Sequence, residues 1–540
     1  MRTKLYVFLS LMVLCFVHAN AQISLDSSFA TNGIKLDSNL VTNNSIYRYE
    51  KMLELNNGSY VTAGLGSIHK VLSNGQFDPT FGSNGSSNFP IPAGFIAGSV
   101  NALAKQRDGK IVVLATFYYP NFVNPFFAVL RYQSNGQIDN SFHNNGVLID
   151  SLGINQSTIP ATLAIDTISN ESADYIYIGG QKGQCTLSGS GGTYCASGFF
   201  ICKLTPNGNY DPSFHQTGIW QDSQFPVGNS NTYYTNFVNS IHILSKSSVL
   251  ITGYSSNDFS YFGIKLYPNG NINTTFGNNG LWNLLDPNNS PITFTYSKKF
   301  GPENILFYKN SLYGSDSVHV SYFCMDTAGH TVNSFGTNGI ATFSMRIYKG
   351  PGIAFANLPT TIDQNKNIYT SFYKKTNTTT YLHILKVKPN GQQDMSFGTN
   401  GIYVSEPFSN DYCLNGNMSY DMLFTKDNKL LVSMYKDLYS HSGGGMFRYK
   451  GFGTPLFSPS YFQSNVSLSY YNSSIHLQTE ETGMHQIAIY STNGALVYQK
   501  SLMLIQGQTQ DIQLPTLSKG MYICKAQGGT QYGFCKFIAE

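Results

Sequence analysis

The chain has 540 residues, a formal net charge of +4, 11% charged residues and 14% aromatics. A balance this close to neutral excludes a strongly basic surface for nucleic acid, and the aromatic content excludes a disordered chain. The abundance of Gly, Asn, Ser and Thr is that of an exported, β-rich protein.

Residues 1–21 read as an export signal. Arg2 and Lys4 give the positive start, Leu5 to Val17 the apolar run, and Ala19-Asn20-Ala21 the small-residue cleavage site, leaving Gln22 first. Cys15 follows Leu14, so a lipoprotein anchor is not expected. No second apolar run of about 18 residues follows, so the mature chain is not expected to span a membrane.

From there to residue 453 the chain repeats itself. The organising stretch is Gly75-Gln76-Phe77-Asp78-Pro79-Thr80-Phe81-Gly82-Ser83-Asn84-Gly85, and it recurs seven times with a period near sixty residues. Its Phe falls at Phe29, Phe81, Phe142, Phe214, Phe276, Phe335 and Phe397. Three residues earlier stands Asp26, Asp78, Asp139, Asp211, Asn273, Val332 or Asp394. Asp or Asn ahead of Ser or Thr makes a capped turn, and the Asn-Gly that follows suits positive φ. The lone Phe in this polar turn reads as a plug between neighbouring units, each worth about 1.5–3 kcal/mol when buried. A repeated calcium ligand is the competing reading of the Asp, and Val332 in the sixth copy argues against it.

Eleven residues before the Phe stands Lys70, Arg131, Lys203, Lys265, Cys324 or Lys386, opening a strand that ends on a Gly five residues on. The basic residue reads as the solvated face of that strand. Between motifs lie hairpins. Leu53 to Val61, Lys105 to Val113 and Leu423 to Leu431 carry apolar flanks around Asn-Gly, Asp-Gly or Asp-Asn. The third unit has a longer version through Ser169 to Tyr175, and the fifth is degenerate. With a short strand after the motif (Ile34-Lys35-Leu36), a unit holds about four strands, which is a propeller blade.

The two ends are out of phase by one piece. The first motif has no Lys-to-Gly strand before it, and Arg448-Tyr449-Lys450-Gly451-Phe452-Gly453 is such a strand with no motif after it. A ring closes if the first motif docks after the last strand, and closure removes the exposed sheet edges. Seven motifs and seven strands make seven blades. The copies Asp78 to Gly85, Asp211-Pro212-Ser213-Phe214 and Phe397 to Gly401 resemble the delta-60 repeat family. That resemblance implies tandem propeller-forming units over residues 22–453 and no particular activity.

Residues 454–463, with Pro455 and Pro459, read as a linker, and residues 464–540 as a second, smaller domain. Ile487 to Tyr498 is a strand, an Asn-Gly turn and a strand. Asp511 to Lys525 and Phe534 to Ile538 follow. The expected architecture is therefore all-β: a seven-bladed β-propeller followed by a small Ig-like β-sandwich. Tyr490-x-x-x-Gly494-x-x-Val497, Leu517-x-x-Gly520-x-Tyr522 and the basic terminal strand resemble the C-terminal sorting domain of the type IX secretion system. The resemblance implies the type IX machinery as partner and passage across the outer membrane of a Gram-negative cell. It also implies removal of the domain there and replacement by a surface glycolipid anchor.

Seven cysteines follow the signal, and an exported route favours disulfides. Cys185 and Cys195 bracket a Gly/Ser loop. Cys524 and Cys535 face each other if Gly529-Thr530 makes the turn between the last strands. The odd count leaves at least one thiol free or intermolecular. No catalytic residue, cofactor or metal is assigned. Gly189-Ser190-Gly191-Gly192 is a loop between cysteines rather than a nucleophile elbow, and Asp363 to Asn367 is a hairpin turn that lacks the Gly of a calcium loop. Trp220 and Trp282 hold equivalent positions, favouring blade packing over a sugar platform. Quasi-identical blades without a unique acid–base pair favour a secreted or surface-displayed binder of a glycan, a protein or a surface. The alternative is a propeller lyase or glycosidase.

Overall fold

The computed structural model describes residues 23–539 except 38–48, 65, 121–124, 154–155, 168–173, 188–192, 223–235, 245–247, 256–259, 286–293, 314–316, 347–357, 376–378, 410–418, 439–440, 453–465, 472–473, 480–481, 492–495 and 529–530. The export signal, the linker, the Gly189–Gly192 loop and Cys413 lie outside the described residues. The chain divides into two compact units, Met1–Gly453 and Thr454–Glu540. Every regular element described is a strand.

The first unit is a β-propeller. Its described residues form seven antiparallel sheets, each built as the repeat pattern demands. The hairpin supplies the first two strands, the Lys-to-Gly stretch the third, and the short strand after the motif Gly the outer one. In the second sheet these are Ile96–Lys105, Ile111–Tyr118, Phe126–Tyr132 and Val147–Asp150. The hairpin with the degenerate sequence also forms: Phe294–Lys299 pairs with Asn304–Tyr313, turned by Gly301-Pro302 in place of Asn-Gly.

The last sheet is completed by the start of the chain. Ser419–Phe424, Leu430–Leu438 and His441–Lys450 supply three strands, and Ile34–Asp37 pairs against Phe447 to Gly444 as the outer one. Ser24–Leu25 pairs with Lys450 and Tyr449. The bonds match those within other sheets. Asp26 N–H donates to Arg448 O at 2.8 Å, as Asp78 does to Lys70 at 2.9 Å; Arg448 N–H donates to Gly33 O at 2.9 Å, as Lys70 does to Gly85 at 3.0 Å.

The core follows from this closure. It consists of seven buried clusters in this unit, each between two successive sheets, the last joining the final sheet to the first. The innermost strands are also tied across the gaps. Asp421, Thr162 and Ser240 sit at β-bulges and accept the backbone N–H of Met52, Ile241 and Ser297 on the next sheet, at 2.9, 3.2 and 3.1 Å.

The second unit holds two sheets that share one core. Val466–Tyr471, Ser474–Thr479 and Thr509–Gln513 form the first. Leu496–Leu504, Gly483–Ser491, Gly520–Gly528 and Gln531–Ala539 form the second, in that order. Val466, Ile475, Leu477 and Ile512 pack against Ile487, Ile489, Tyr522 and Phe537 between them.

Candidate functional site

Each motif Phe lies in a different inter-sheet cluster of the propeller: Phe29, Phe81, Phe142, Phe214, Phe276, Phe335 and Phe397, all buried. The residue after the Phe donates its backbone N–H to the next unit's turn. Ala30 bonds Asn74 O, Gly82 Asn135 O, His143 Asn207 O, His215 Asn269 O, Gly277 Ala328 O and Gly336 Asn390 O, from 2.7 to 3.1 Å. The Gly after that carbonyl has positive φ and lies against the ring or the backbone beside it. A Cβ on Gly208 would stand 2.6 Å from the Phe142 ring.

The basic residue eleven positions before the Phe is not on a solvated face. It turns inward and pairs with the motif Asp: Lys70 with Asp78 at 2.9 Å, and Arg131 with Asp139, Lys203 with Asp211, Lys386 with Asp394 and Arg448 with Asp26 at 2.8 Å. The stem of the side chain was available to fill the seam, and the Asp supplied the counter-charge. The cation also lies over the motif ring, 4.5 Å from the Phe29 centroid for Arg448 and 4.8 Å from Phe142 for Arg131. The same Asp caps its turn. Asp78 Oδ1 accepts from Thr80 N–H at 3.0 Å and from its hydroxyl at 2.6 Å. Hydrogen bonds from Thr80 and Lys70 hold Asp78 below the usual carboxylate range despite burial. Burial pushes Asp26 up, but Ser28, Lys429 and Arg448 outweigh it and leave it well below that range.

A signal for this pairing was present in the sequence. In the sixth copy both members change together, to Cys324 and Val332, which pack in one apolar cluster. In the fifth copy Asn273 faces Lys265, whose ammonium donates to Thr327 O at 2.8 Å and is pushed down by burial.

Trp220 and Trp282 are both buried, the first against Phe199 and the second against Phe307. Asp363 caps its hairpin turn, accepting from Asn365 and Asn367 N–H at 2.9 and 2.7 Å. No group of three or more metal-ligating side chains occurs among the described residues. Cys185 stands opposite Cys195, and Cys524 opposite Cys535, on adjacent antiparallel strands.

Two features remain that face solvent. At the closing seam, hairpin turns of the first and last sheets enclose a polar cleft of about 470 Å³. Glu54 on its wall accepts Lys426 N–H at 2.9 Å, and burial still raises its pKa above the usual value. Asp427 is held below its usual value, since Thr425 and Lys429 outweigh its burial. On the second sheet, at the end away from the Asp108-Gly109 turn, Phe95, Tyr119 and Phe126 form a ring cluster with centroids 5.0 to 5.2 Å apart. Tyr119 is 41% exposed. Sequence reasoning missed both features, because each joins residues from separate strands or blades.

Comparison with known proteins places the two units. Residues 106–142 match the family model described as "Domain of unknown function (DUF5122) beta-propeller". Residues 470–540 match "Secretion system C-terminal sorting domain". The β-propeller thus contains a stretch similar to that family, and a type IX sorting domain stands at residues 470–540. No curated protein matches the sequence. Among solved structures, the chain is similar to PorZ, described as an essential bacterial surface component of the type-IX secretion system of Porphyromonas gingivalis. The identity is 9%, covering 90% of this chain and 81% of that one, with a TM-score of 0.23. It is also similar to the polysaccharide lyase Uly1, at 9% identity over 74% and 88% of the chains, TM-score 0.33. The α-L-arabinofuranosidase Arb93A of Fusarium graminearum matches at 9% identity over 65% and 92%, also at 0.33. Likeness this distant carries no functional conclusion.

Proposed function

We propose that the mature protein is a non-catalytic, seven-bladed propeller displayed or released outside the cell, where it binds an extracellular glycan through its aromatic rim. The observation that carries this reading is the cluster of Phe95, Tyr119 and Phe126, in which Tyr119 is exposed and the two Phe rings are half-buried. Such rings offer a rigid apolar face, and Tyr119 adds a polar tip, the surface that stacks on the apolar face of a sugar ring. The recurring acids support binding over catalysis. Asp26, Asp78, Asp139, Asp211 and Asp394 are each committed to a cation and a turn, and are held ionised. The export signal at residues 1–21 and the sorting domain deliver the chain to that place.

One observation favours a second reading. Glu54 and Asp427 line one cleft with pKa values moved in opposite directions, as in a glycosidase acid and its partner. Both carboxylates are already bonded, Glu54 across the seam to Lys426 N–H and Asp427 to Thr425 and Lys429 of its own turn, which favours a structural role for them. The test is a screen of extracellular glycans for binding, run beside turnover of the same glycans. Binding that Tyr119→Ala weakens about tenfold or more, with melting unchanged and no new reducing ends, is the expected result. Release of reducing ends or unsaturated sugars, lost in Glu54→Gln, would overturn it.

A further inference from the structure

We propose that Cys524 and Cys535 are joined by a disulfide once the chain has left the cytoplasm, and that the bond clamps the terminal strand of the sorting domain. The two residues are direct partners in the register of Gly520–Gly528 with Gln531–Ala539. Directly opposed residues of an antiparallel pair stand about 4.5–5.5 Å apart at Cα, inside the ~4.4–6.8 Å window of disulfides. Being opposed, they share one face of the sheet. That face is the core side, where Cys524 is fully buried and Cys535 partly so. Neither strand has to move for the bond to form.

The environments of the two thiols differ in a way that orders the reaction. Cys524 is pushed up, by its hydrogen bond with Cys535 and by burial. Cys535 is the more accessible of the two. Cys535 is therefore the sulfur that attacks first. Its thiolate opens the disulfide of a protein or glutathione oxidant and expels one thiolate. Cys524 then gives up its proton and displaces the second. Two thiols lose two protons and two electrons, and the oxidant is reduced to two thiols.

Position gives the bond a purpose. Gln531–Ala539 is an edge strand of its sheet, paired along one side only within that sheet. An edge strand, held by a single ladder, opens more readily than a central one. A bridge to Cys524 holds it in place once the chain is in the periplasm. In the reducing cytoplasm the bond does not form.

The same backbone argument carries a second bridge in the propeller. Cys185 and Cys195 are direct partners in the hairpin Tyr175–Leu187 with Thr193–Leu204. Cys202 and Cys324 are buried in separate sheets and stay as thiols.

Peptide mapping of the full-length chain tests this, purified from an oxidising periplasm with the sorting domain attached. The sample is exposed to glutathione disulfide, denatured and alkylated without reductant before digestion. The expected result is one linked peptide joining Cys524 to Cys535, another joining Cys185 to Cys195, and alkylated Cys202 and Cys324. Recovery of either pair as separately alkylated peptides overturns that bridge. As a second readout, carboxypeptidase should trim the terminal strand about tenfold faster after reduction in the wild type, and not in Cys524→Ser/Cys535→Ser. Trimming indifferent to reductant would refute the clamp.

Discussion

Replacing Asp26 with Asn should open the propeller where its two ends meet. Asp26 accepts Arg448 Nε at 2.9 Å and Nη2 at 2.8 Å, Lys429 Nζ at 3.1 Å, and the Ser28 hydroxyl at 2.7 Å. Arg448 and Asp26 are 2% and 4% exposed, so solvent does not weaken the pair. Asn keeps the turn cap but leaves a buried guanidinium without its anion. Removing one partner of a buried ion pair costs about 3–5 kcal/mol, and the low end applies because Ser28, Tyr60 and Ser73 still accept from Arg448. In hydrogen exchange, amides of residues 24–37 should then exchange about a hundredfold faster. The control is Asp211→Asn, at a seam away from the closure, which should leave those amides unchanged. The sixth copy supplies the rescue: Asp26→Val with Arg448→Met imitates Val332 with Cys324 and should recover about 2–3 kcal/mol over Asp26→Val alone. Exchange accelerated less than tenfold by Asp26→Asn, or a strictly additive double variant, would refute the reasoning.

Three further outcomes are expected. Gly208→Ala should lower stability by about 2–3 kcal/mol in a urea melt, since φ is +83° and the new Cβ meets the Phe142 ring. Asn273→Asp should raise the melting temperature, adding about 1 kcal/mol by giving half-buried Lys265 the anion that Lys203 and Lys386 already have. Stability should fall on acidification well above the carboxylate range. Burial holds His69 and His242 neutral down to about 3, so between 6.5 and that value only the unfolded chain binds their protons. At pH 5 each costs about 2 kcal/mol relative to pH 7.5, and a glutamine at position 242 should remove about half of that loss in calorimetry.

The repeat made much of the fold legible, because its Gly, Phe and Asp positions are demanded by local turns and by one seam geometry. The phase mismatch at the two ends pointed to Arg448 meeting the first motif, and the paired registers there agree. The ion pair was misread as a solvated lysine face. Residue type alone does not distinguish a lysine that lies on the surface from one whose stem fills a seam, although the joint change to Cys324 and Val332 held the answer. The hairpin at Gly301-Pro302 read only as degenerate because its turn lacks Asn-Gly, yet its strands pair in full register. The rim of Phe95, Tyr119 and Phe126 gathers rings from three strand ends, so no local pattern announces it. The cleft at Glu54 needs two blades nearly four hundred residues apart in the chain.

Closure of the ring by its own first residues is what every seam argument rests on. The direct measurement is amide exchange across Ile34–Asp37 in the intact protein, read against Val147–Asp150, the matching outer strand of the second sheet. Protection of the same order in both strands is the predicted result. Coil-like exchange at 34–37 beside a protected 147–150 would contradict it.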